Sequence, residues 1–434
     1  MATNATSHNQ SDDPVELIFL GTGTSSSLPH VDCLTAPPGA KPCRTCLSTL
    51  KPEGKKNIRR NTSVAMRIPG KDGKKITVII DVGKSFQAAA VEWFPKYGLR
   101  RIDAVLITHA HADAMNGLDD LRGWTLRSSI QSHVDLYVSQ ATFKEVQRAF
   151  PYLVAKEYAS GGGDVPEFKW HIIEDRVPFE IEDTGVFIKP FSVHHGRIFS
   201  TAPPVEFMPS PWSGSPTSTT ASTPNPPGSP VHPGCHTPLQ PGALAPTTDL
   251  TKPIQPYLCF GFVIQESVVY ISDVSRIPED VWNFLLPNTP TITHGTNGTN
   301  GLNGVNGTDT HGHNAIDDQR PNPTGPPVLV LDCLCLETHS SHLGFRDSVA
   351  YARRFDSQRT YLTGFGHEVS HEEYVILGEA VEGKFPPPNA ELTENESKGL
   401  RLVGEGKQIW VRPAYDGLKV LVNKDGVARD EGYN

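Results

Sequence analysis

The chain has 434 residues, a formal net charge of −9 and seven cysteines. This acidic balance gives no broad basic surface for nucleic-acid binding, and no apolar run reaches the roughly 18 residues that a membrane span needs. The N-terminal stretch carries no signal-peptide pattern, so we expect a cytoplasmic or nuclear protein whose cysteines are reduced thiols or metal ligands rather than disulfides.

Two stretches differ in composition from the rest of the chain. Residues 203–256 are rich in Pro, Ser, Thr and Gly, and residues 288–327 are rich in Asn, Gly and Thr. Such segments cannot bury a hydrophobic core, so we expect two disordered inserts, together with a disordered tail over residues 1–14. The remainder of residues 15–434 predicts one α/β domain that the inserts interrupt.

The first predicted strand, residues 15–20, runs into a turn of glycine and hydroxyl residues from Gly21 to Ser27. Such a turn lets the backbone approach a ligand closely. The sequence gives equal support to a phosphate-binding turn and to a simple tight connection.

Three cysteines follow this turn, at Cys33, Cys43 and Cys46. A C-x-x-C pair with a third cysteine nearby can supply three corners of a tetrahedral zinc site, because thiolates at this spacing can share one ion. The fourth ligand must come from elsewhere in the chain. The alternative is a loop with unpaired thiols.

A hairpin is predicted next, from strands at residues 61–68 and 76–83, before a helix over residues 85–97. Asp81 ends the second strand. Its carboxylate has two interpretations: it holds a neighbouring metal loop by hydrogen bonds, or it caps the following helix.

The apolar run from Ile102 to Ile107 delivers His109, His111 and Asp113, at alternate positions, into a turn that Gly117 opens. Alternation along an extended segment places the three side chains on one side. Imidazole and carboxylate suit zinc, manganese or iron(II). A surface loop with two histidines is the alternative, but Asp113 and the preceding apolar run favour a metal loop.

Four later strand ends repeat this logic, because each predicted strand is followed by a group that can bind metal or transfer a proton. At the first of these strand ends the histidine is followed by a glycine, and the glycine gives the backbone conformational freedom. The residues concerned are His195, Asp273, His342 and His367. Of these, His342 lies at the start of a predicted helix and is a candidate proton donor.

The stretch from His109 to Ala114 (HAHADA) resembles the HxHxDH hallmark of the metallo-β-lactamase superfamily. The order of Leu20-Gly21-Thr22-Gly23, the cysteine cluster, Asp273 and His367 is most similar to the PhnP-like phosphodiesterase branch, whose bacterial member opens a ribosyl 1,2-cyclic phosphate. Low-complexity inserts are typical of a fungal-type member. The resemblance implies a four-layer αβ/βα sandwich.

The resemblance also implies site roles. His109, His111 and His195 would bind one metal, Asp273 would lie beside that metal or bridge two, and Asp113 would face the second. His342 falls where the branch places a histidine thought to act as general acid. Cys33, Cys43, Cys46 and His367 match the separate structural zinc of the branch, which supplies the missing fourth ligand.

Two family histidines are absent. The last histidine of HxHxDH is Ala114, and the histidine of the Leu-Thr-His pattern near the C-terminus is Gly364. Both belong to the second metal site in the family, and carboxylates alone would bind a second ion weakly. Three outcomes are open: the enzyme works with one metal, His371 or another side chain replaces a ligand, or the site is degenerate.

The sequence therefore predicts a metal-dependent hydrolase, with a metal-activated water, for a small phosphodiester that can be cyclic. We expect Zn²⁺ at the structural site and Zn²⁺ or Mn²⁺ at the active site. A small-molecule phosphodiester is the expected partner, without a membrane, and the oligomeric state is open, a homodimer included.

Two rival functions come from other classes of protein. One is a catalytically degenerate member of the fold that keeps a structural zinc and a binding role. The other is a relative of the tRNA 3′-end nucleases, but neither insert carries the dense Lys/Arg of a tRNA-clamping arm, which disfavours nucleic acid as partner.

Overall fold

The computed structural model describes residues 13–161, 163–199, 255–286 and 323–433. The predicted tail over residues 1–14 and the predicted inserts over 203–256 and 288–327 lie almost entirely outside these ranges and stay predictions. No helix within these ranges is long and apolar enough to cross a membrane.

The described residues form two mixed β-sheets. The first has eight strands in the order β15-β14-β1-β2-β3-β4-β5-β6, and the second has seven in the order β13-β12-β11-β10-β9-β8-β7. The strands of the first sheet are β1 Val15–Gly21, β2 Ser63–Pro69, β3 Lys75–Ile80, β4 Ala104–Leu106, β5 Val134–Val138, β6 Phe168–Ile172, β14 Lys419–Val422 and β15 Ala428–Asp430. Those of the second are β7 Phe179–Ile181, β8 Val186–Arg197, β9 Pro256–Ile264, β10 Val268–Ile271, β11 Val328–Asp332, β12 Arg359–Thr363 and β13 Val411–Pro413.

Helices cover the outer face of each sheet. Within the described residues they are α1 Val31–Leu34, α2 Arg44–Ser48, α3 Phe86–Tyr97, α4 Ala112–Met115, α5 Arg122–Thr125, α6 Gln140–Ala149, α7 Pro151–Val154, α8 Glu279–Leu285, α9 Phe345–Phe355, α10 His371–Val381 and α11 Glu394–Leu402. Short 3₁₀ turns lie at Pro52–Asn57, Leu118–Leu121, Leu126–Ser128 and Lys156–Tyr158. The segment after Gly117 thus forms one of these turns followed by α5.

Three buried apolar clusters hold the layers together. One lies between the two sheets and joins residues such as Phe19 of β1 to Tyr270 of β10. The second packs α3 and α6 on the first sheet, and the third packs α8, α9 and α10 on the second. The four-layer αβ/βα sandwich predicted from the sequence is therefore confirmed.

Strand β11 illustrates why the chain folds in this way. Its Val-Leu-Val-Leu run is buried on both faces, with Val328 and Val330 in the cluster between the sheets and Leu329 and Leu331 under the helices. A run without alternation is typical of a strand covered on both sides, as in parallel sheets. Indeed β10, β11 and β12 are parallel neighbours, and β3, β4 and β5 form a matching parallel set in the other sheet.

Parallel strands place their carboxyl ends at one edge of a sheet. The loops after β4, β10, β11 and β12 carry His109, Asp273, His342 and His367 respectively. This topology brings groups that are far apart in the sequence to one edge of the sandwich.

Candidate metal centres and active-site cleft

His109 lies directly after β4 and is held by a chain of hydrogen bonds. The backbone N–H and the hydroxyl of Thr108 both donate to the Asp81 carboxylate at 2.8 Å, and the same hydroxyl lies 2.8 Å from His109 Nδ1. Since the hydroxyl gives its one hydrogen to Asp81, it accepts from Nδ1–H. The lone pair of His109 is then on Nε2, which is buried without a hydrogen-bond partner in the described residues.

This network confirms one of the two interpretations of Asp81. Its carboxylate fixes the loop after β4 and the tautomer of His109, as groups behind metal-binding histidines commonly do. Burial raises the pKa of this carboxyl well above its usual range, against the hydrogen bonds from Thr108, which lower it.

Three imidazoles meet at this point. Nitrogen atoms of His109, His111 and His195 all lie within 4.8 Å of one another. His195 Nδ1 is 2.7 Å from the Ser341 carbonyl oxygen, which can only accept, so the lone pair of His195 is on Nε2. Nε2 lies 3.2 Å from His111 Nδ1. Two nitrogens of one tetrahedral zinc would be about 3.3 Å apart at usual bond lengths.

The electrostatics of the cluster suit a cation. Burial lowers the pKa of His109 to about 3 and also lowers that of His111. Both rings are therefore neutral near pH 7, which is the form that binds metal. The orphaned His109 Nε2, the nitrogen spacing and the neutral rings all fit a divalent ion.

Asp273 and His342 complete this side of the cleft. Asp273 follows β10. A carboxylate oxygen of Asp273 lies within 4.8 Å of a ring nitrogen of His109, and also within 4.8 Å of ring nitrogens of His195 and His342. His342 Nδ1 lies 3.0 Å from Asp332 Oδ2 and 3.8 Å from Asp273 Oδ1. Burial lowers the pKa of His342, but these carboxylates outweigh it and raise the pKa to about 9.

Asp113 is placed differently from the two histidines. It lies in the first turn of α4, so the extended alternation ends at His111. Its Oδ2 accepts a 2.8 Å hydrogen bond from the Ser25 hydroxyl in the glycine and hydroxyl turn, and its Oδ1 is buried without a hydrogen-bond partner in the described residues. Asp113 lines the same cleft as His111 and Asp273.

The two positions that depart from the family carry no replacement histidine. Ala114 is buried in α4. Gly364 has a φ of +79°, and an added Cβ would lie 2.6 Å from Asp332 Oδ1. His371 is not a substitute at this position, because its Nε2 lies 3.1 Å from the Tyr433 hydroxyl and its ring packs against Tyr415.

Two functional candidates escaped the sequence analysis. Asp332 ends β11 in the same way as Asp273 follows β10, so an apolar run ending in aspartate was the available signal. Tyr257 stacks face to face on His111, with ring centroids 4.7 Å apart and planes 3° apart, and its hydroxyl accepts from Ala110 N–H at 3.2 Å. No local sequence pattern indicates such a stack.

The cleft in front of these residues has a volume of about 690 Å³. Serine hydroxyls from Ser25, Ser340 and Ser341 lie along its walls. Arg197 also lines the cleft, and its guanidinium lies 4.8 Å from the centre of the Phe199 ring. The cleft is thus a pocket of small-molecule size, lined mostly by polar and ionisable residues.

The cysteine cluster lies apart from this cleft. Cys33 is in α1, Cys43 caps α2, Cys46 is in α2, and His367 follows β12. The three sulfur atoms lie 3.2, 3.8 and 3.7 Å from His367 Nδ1. Sulfur and nitrogen ligands of one tetrahedral zinc would be about 3.6 Å apart.

The charge state of this cluster also suits zinc. Hydrogen bonding from the Cys46 thiol lowers the pKa of Cys43 to about 3, so a thiolate is present at neutral pH. The same contact raises the pKa of Cys46 because the two sulfurs share one proton. The fourth ligand predicted for the cysteines is thus brought to within bonding range of a shared ion.

Residues 77–215 match the family model described as "Beta-lactamase superfamily domain". This region contains His109, His111, Asp113 and His195. Together with the four-layer sandwich, the match shows that the chain has the metallo-β-lactamase fold, as the resemblance implied. The PhnP-like branch and the fungal-type origin stay predictions. This fold supports a metal-dependent hydrolase, whose ligands the described His, Asp and Cys clusters can supply.

Two solved structures are similar to this chain over most of its length. The crystal structure of a diphosphatase from the PhnP family is 20% identical, with a TM-score of 0.52, over 93% of this chain and 96% of that one. The metallo-beta-lactamase fold protein YhfI of Bacillus subtilis is 12% identical over 94% of this chain and 98% of its own, with a TM-score of 0.44. At these identities the likeness concerns the fold.

A protein of Porphyromonas gingivalis named octanoyltransferase is 31% identical over 183 residues, which are 42% of this chain and 31% of that protein. The chain thus spans about a third of the length of this curated relative. The name describes the larger protein and gives no activity to the shared part.

Proposed function

We propose that the chain is a metal-dependent phosphodiesterase that binds one active-site ion and acts on small phosphodiesters, cyclic ones included. The observation that carries this proposal is the convergence of His109, His111 and His195 at one edge of a cleft that His342 also lines, with its ring centre 4.8 Å from that of His195. A cationic acid thus lies beside the ligand cluster, where it can reach a phosphate group that a bound ion would hold.

Each residue contributes a defined property. The three histidines and Asp273 would hold a divalent ion, which when bound lowers the pKa of a water molecule and polarises a phosphoryl oxygen. Asp113 lines the same cleft and can orient the attacking water by accepting a hydrogen bond through its buried Oδ1.

His342 can supply a proton to the leaving oxygen. With its pKa raised to about 9, it is mainly cationic near pH 7. Asp332 occupies Nδ1, which leaves Nε2–H for the cleft. A cationic donor at this place also contributes positive charge opposite the phosphate, which matters because Ala114 and Gly364 remove two ligands of a second ion.

The hydroxyl of Tyr257 is a further donor at the cleft. It accepts from Ala110 N–H, so its own hydrogen is directed elsewhere, and burial raises its pKa to about 12, which keeps the phenol neutral. Arg197 at the mouth provides charge for the approach of an anion.

The test is metal analysis of the purified protein combined with hydrolysis of bis-p-nitrophenyl phosphate. His109→Ala should lower the rate about 100-fold or more and remove the active-site ion, because a ligand is lost. His194→Ala is the matched control, since His194 is the neighbouring half-buried histidine and lies outside the cluster. Equal rates for His109→Ala and the wild type would refute the proposal.

A second candidate follows from Ala114 and Gly364. If the active site has lost its metal, the chain keeps the Cys33, Cys43, Cys46 and His367 zinc for stability and uses the cleft for binding alone. The purified protein would then contain one zinc per chain, released by Cys46→Ser, whereas the phosphodiesterase contains a second ion that Cys46→Ser leaves in place.

A further inference from the structure

Asp332 is a buried carboxylate at the carboxyl end of β11, with no exposed surface. Its Oδ2 accepts from three donors: His342 Nδ1 at 3.0 Å, Leu343 N–H at 3.1 Å and Val274 N–H at 3.3 Å. The two backbone donors fix the carboxylate in place, so the imidazole is held at Nδ1 by a rigid group. Nδ1 is thus occupied, which leaves Nε2 as the free nitrogen of a ring that lines the cleft.

The second oxygen of Asp332 lies over Gly364. The two residues are neighbours on adjacent strands, because Asp332 pairs with Thr363 in the β11–β12 register and Gly364 follows Thr363. An added Cβ at residue 364 would lie 2.6 Å from Oδ1, which is closer than real Cβ atoms approach an oxygen. The φ of +79° at Gly364 also disfavours any other residue. The carboxylate therefore occupies the space that a side chain at 364 would need.

We propose that Asp332 is the positioning residue of His342, and that glycine at 364 makes room for its carboxylate. Glycine at 364 thus leaves space for a buried carboxylate that orients a proton donor. The substrates suited to this device are phosphodiesters of aliphatic alcohols, such as sugar hydroxyls. The proposal rests on the phosphodiesterase function proposed above.

The chemical step explains this choice of substrate. A water oxygen forms the new bond to phosphorus and gives its proton to solvent, while the bond from phosphorus to the alcohol oxygen breaks. That oxygen takes the electron pair of the broken bond and the proton from His342 Nε2, and the neutral imidazole regains a proton from solvent. An aliphatic alkoxide is a poor leaving group and needs this proton, whereas p-nitrophenolate leaves without it.

The experiment compares two substrates. One is bis-p-nitrophenyl phosphate and the other is adenosine 2′,3′-cyclic phosphate, whose leaving group is a ribose hydroxyl. Asp332→Asn should lower kcat for the cyclic diester about 100-fold, as loss of a positioned acid does, with little change in KM. It should leave the rate for the p-nitrophenyl diester within about threefold, which also shows that the variant is folded. His342→Ala should also lose more activity on the cyclic diester than on the p-nitrophenyl diester, although the loss of its positive charge lowers both rates.

Gly364→Ala tests the spatial part of the proposal. The added methyl group displaces the Asp332 carboxylate, so this variant should reproduce the selectivity of Asp332→Asn. Gly73→Ala is the matched control: Gly73 has a φ of +70°, but an added Cβ there meets nothing within 4 Å. It carries a similar backbone penalty and should leave both rates unchanged.

Several results would overturn the proposal. Equal losses on both substrates in Asp332→Asn, or a loss of the active-site ion in that variant, would make Asp332 and His342 metal-site residues. A wild type that hydrolyses only the p-nitrophenyl diester would exclude a working proton donor. An additional bound ion and faster turnover in Gly364→His would show a vacated ligand position. Failure of the proposed function itself is distinct, because His109→Ala would then equal the wild type.

Discussion

Thr108 determines which nitrogen of His109 faces the cleft. Its hydroxyl stands between Asp81 Oδ2 and His109 Nδ1, at 2.8 Å from each. Groups that hold the second nitrogen of a metal-binding histidine fix its orientation and its tautomer, and their loss weakens metal binding although they never touch the ion.

Replacing Thr108 by valine keeps the shape of the side chain and removes the hydroxyl. We expect Thr108→Val to lower the affinity of the active-site ion about 10-fold to 100-fold, because His109 is no longer held in one tautomer. Competition with a metal-binding dye measures this affinity. Thr77→Val is the control, as a buried threonine of the same sheet away from the histidines. Unchanged affinity in Thr108→Val would mean that Asp81 does not act through this hydroxyl.

Sequence patterns predicted the residues of local motifs, but not the contacts between residues that are distant in the chain. The motif from His109 to Asp113 is local, so its chemistry can be predicted from spacing. Asp332 has the same local signal, but its contact with His342 crosses a loop and its contact with Gly364 crosses between strands. A glycine that replaces a histidine looks like a loss in the sequence, and only the tertiary contact gives it another meaning.

At the scale of elements, apolar runs predicted the central strands well. The predicted strand over residues 15–20 corresponds to β1, the predicted hairpin over 61–68 and 76–83 to β2 and β3, and the predicted helix over 85–97 to α3. The last two strands, β14 and β15, were not predicted. Each has three or four residues, and β14 is stabilised by its pairing with β1, which lies at the other end of the chain. Local patterns do not contain such long-range pairing.

Strand β1 also carries a buried charge that this long-range pairing satisfies. Glu16 accepts from Arg67 on β2 at 2.6 Å, from Lys75 on β3 at 2.9 Å, and lies 3.0 Å from Lys419 on β14. Burial alone would raise the pKa of Glu16, but these cations lower it to about 2. Because this pKa lies below the ordinary 4.5, the ionised form stabilises the fold above about pH 4.5, and the contribution is lost as the pH falls towards 2.

Glu16→Gln should therefore lower the free energy of unfolding by roughly 3 kcal/mol at pH 7, because three cations lose their partner. The difference from wild type should shrink to about half of that at pH 3. Urea unfolding at the two pH values measures it. Glu92→Gln, which removes a half-exposed partner of Arg60, should cost less than about 1 kcal/mol. A Glu16→Gln effect that does not depend on pH would exclude the ionic origin.

At the scale of the whole molecule, both candidate metal centres join distant parts of the chain. The active-site cluster takes His109 and His111 from the end of the first sheet and His195 from the second. The cysteine cluster joins the loop before β2 to the loop after β12, and Cys33 and His367 are 334 positions apart. A shared ion at the second place would close a loop that includes nearly the whole sandwich, so it would act as a staple.

Cys46→Ser tests this staple. Because a structural zinc contributes its binding energy to folding, we expect loss of one zinc per chain and a fall in Tm of about 5–10 °C. The active-site ion should remain, since the cleft shares no ligand with the cysteine cluster. Cys333→Ser is the control, because Cys333 is a buried core cysteine under the helices and its loss should leave both ions in place. Zinc analysis and thermal unfolding of the two variants decide the matter: a Cys46→Ser protein that keeps all its zinc would show that the four residues do not share an ion.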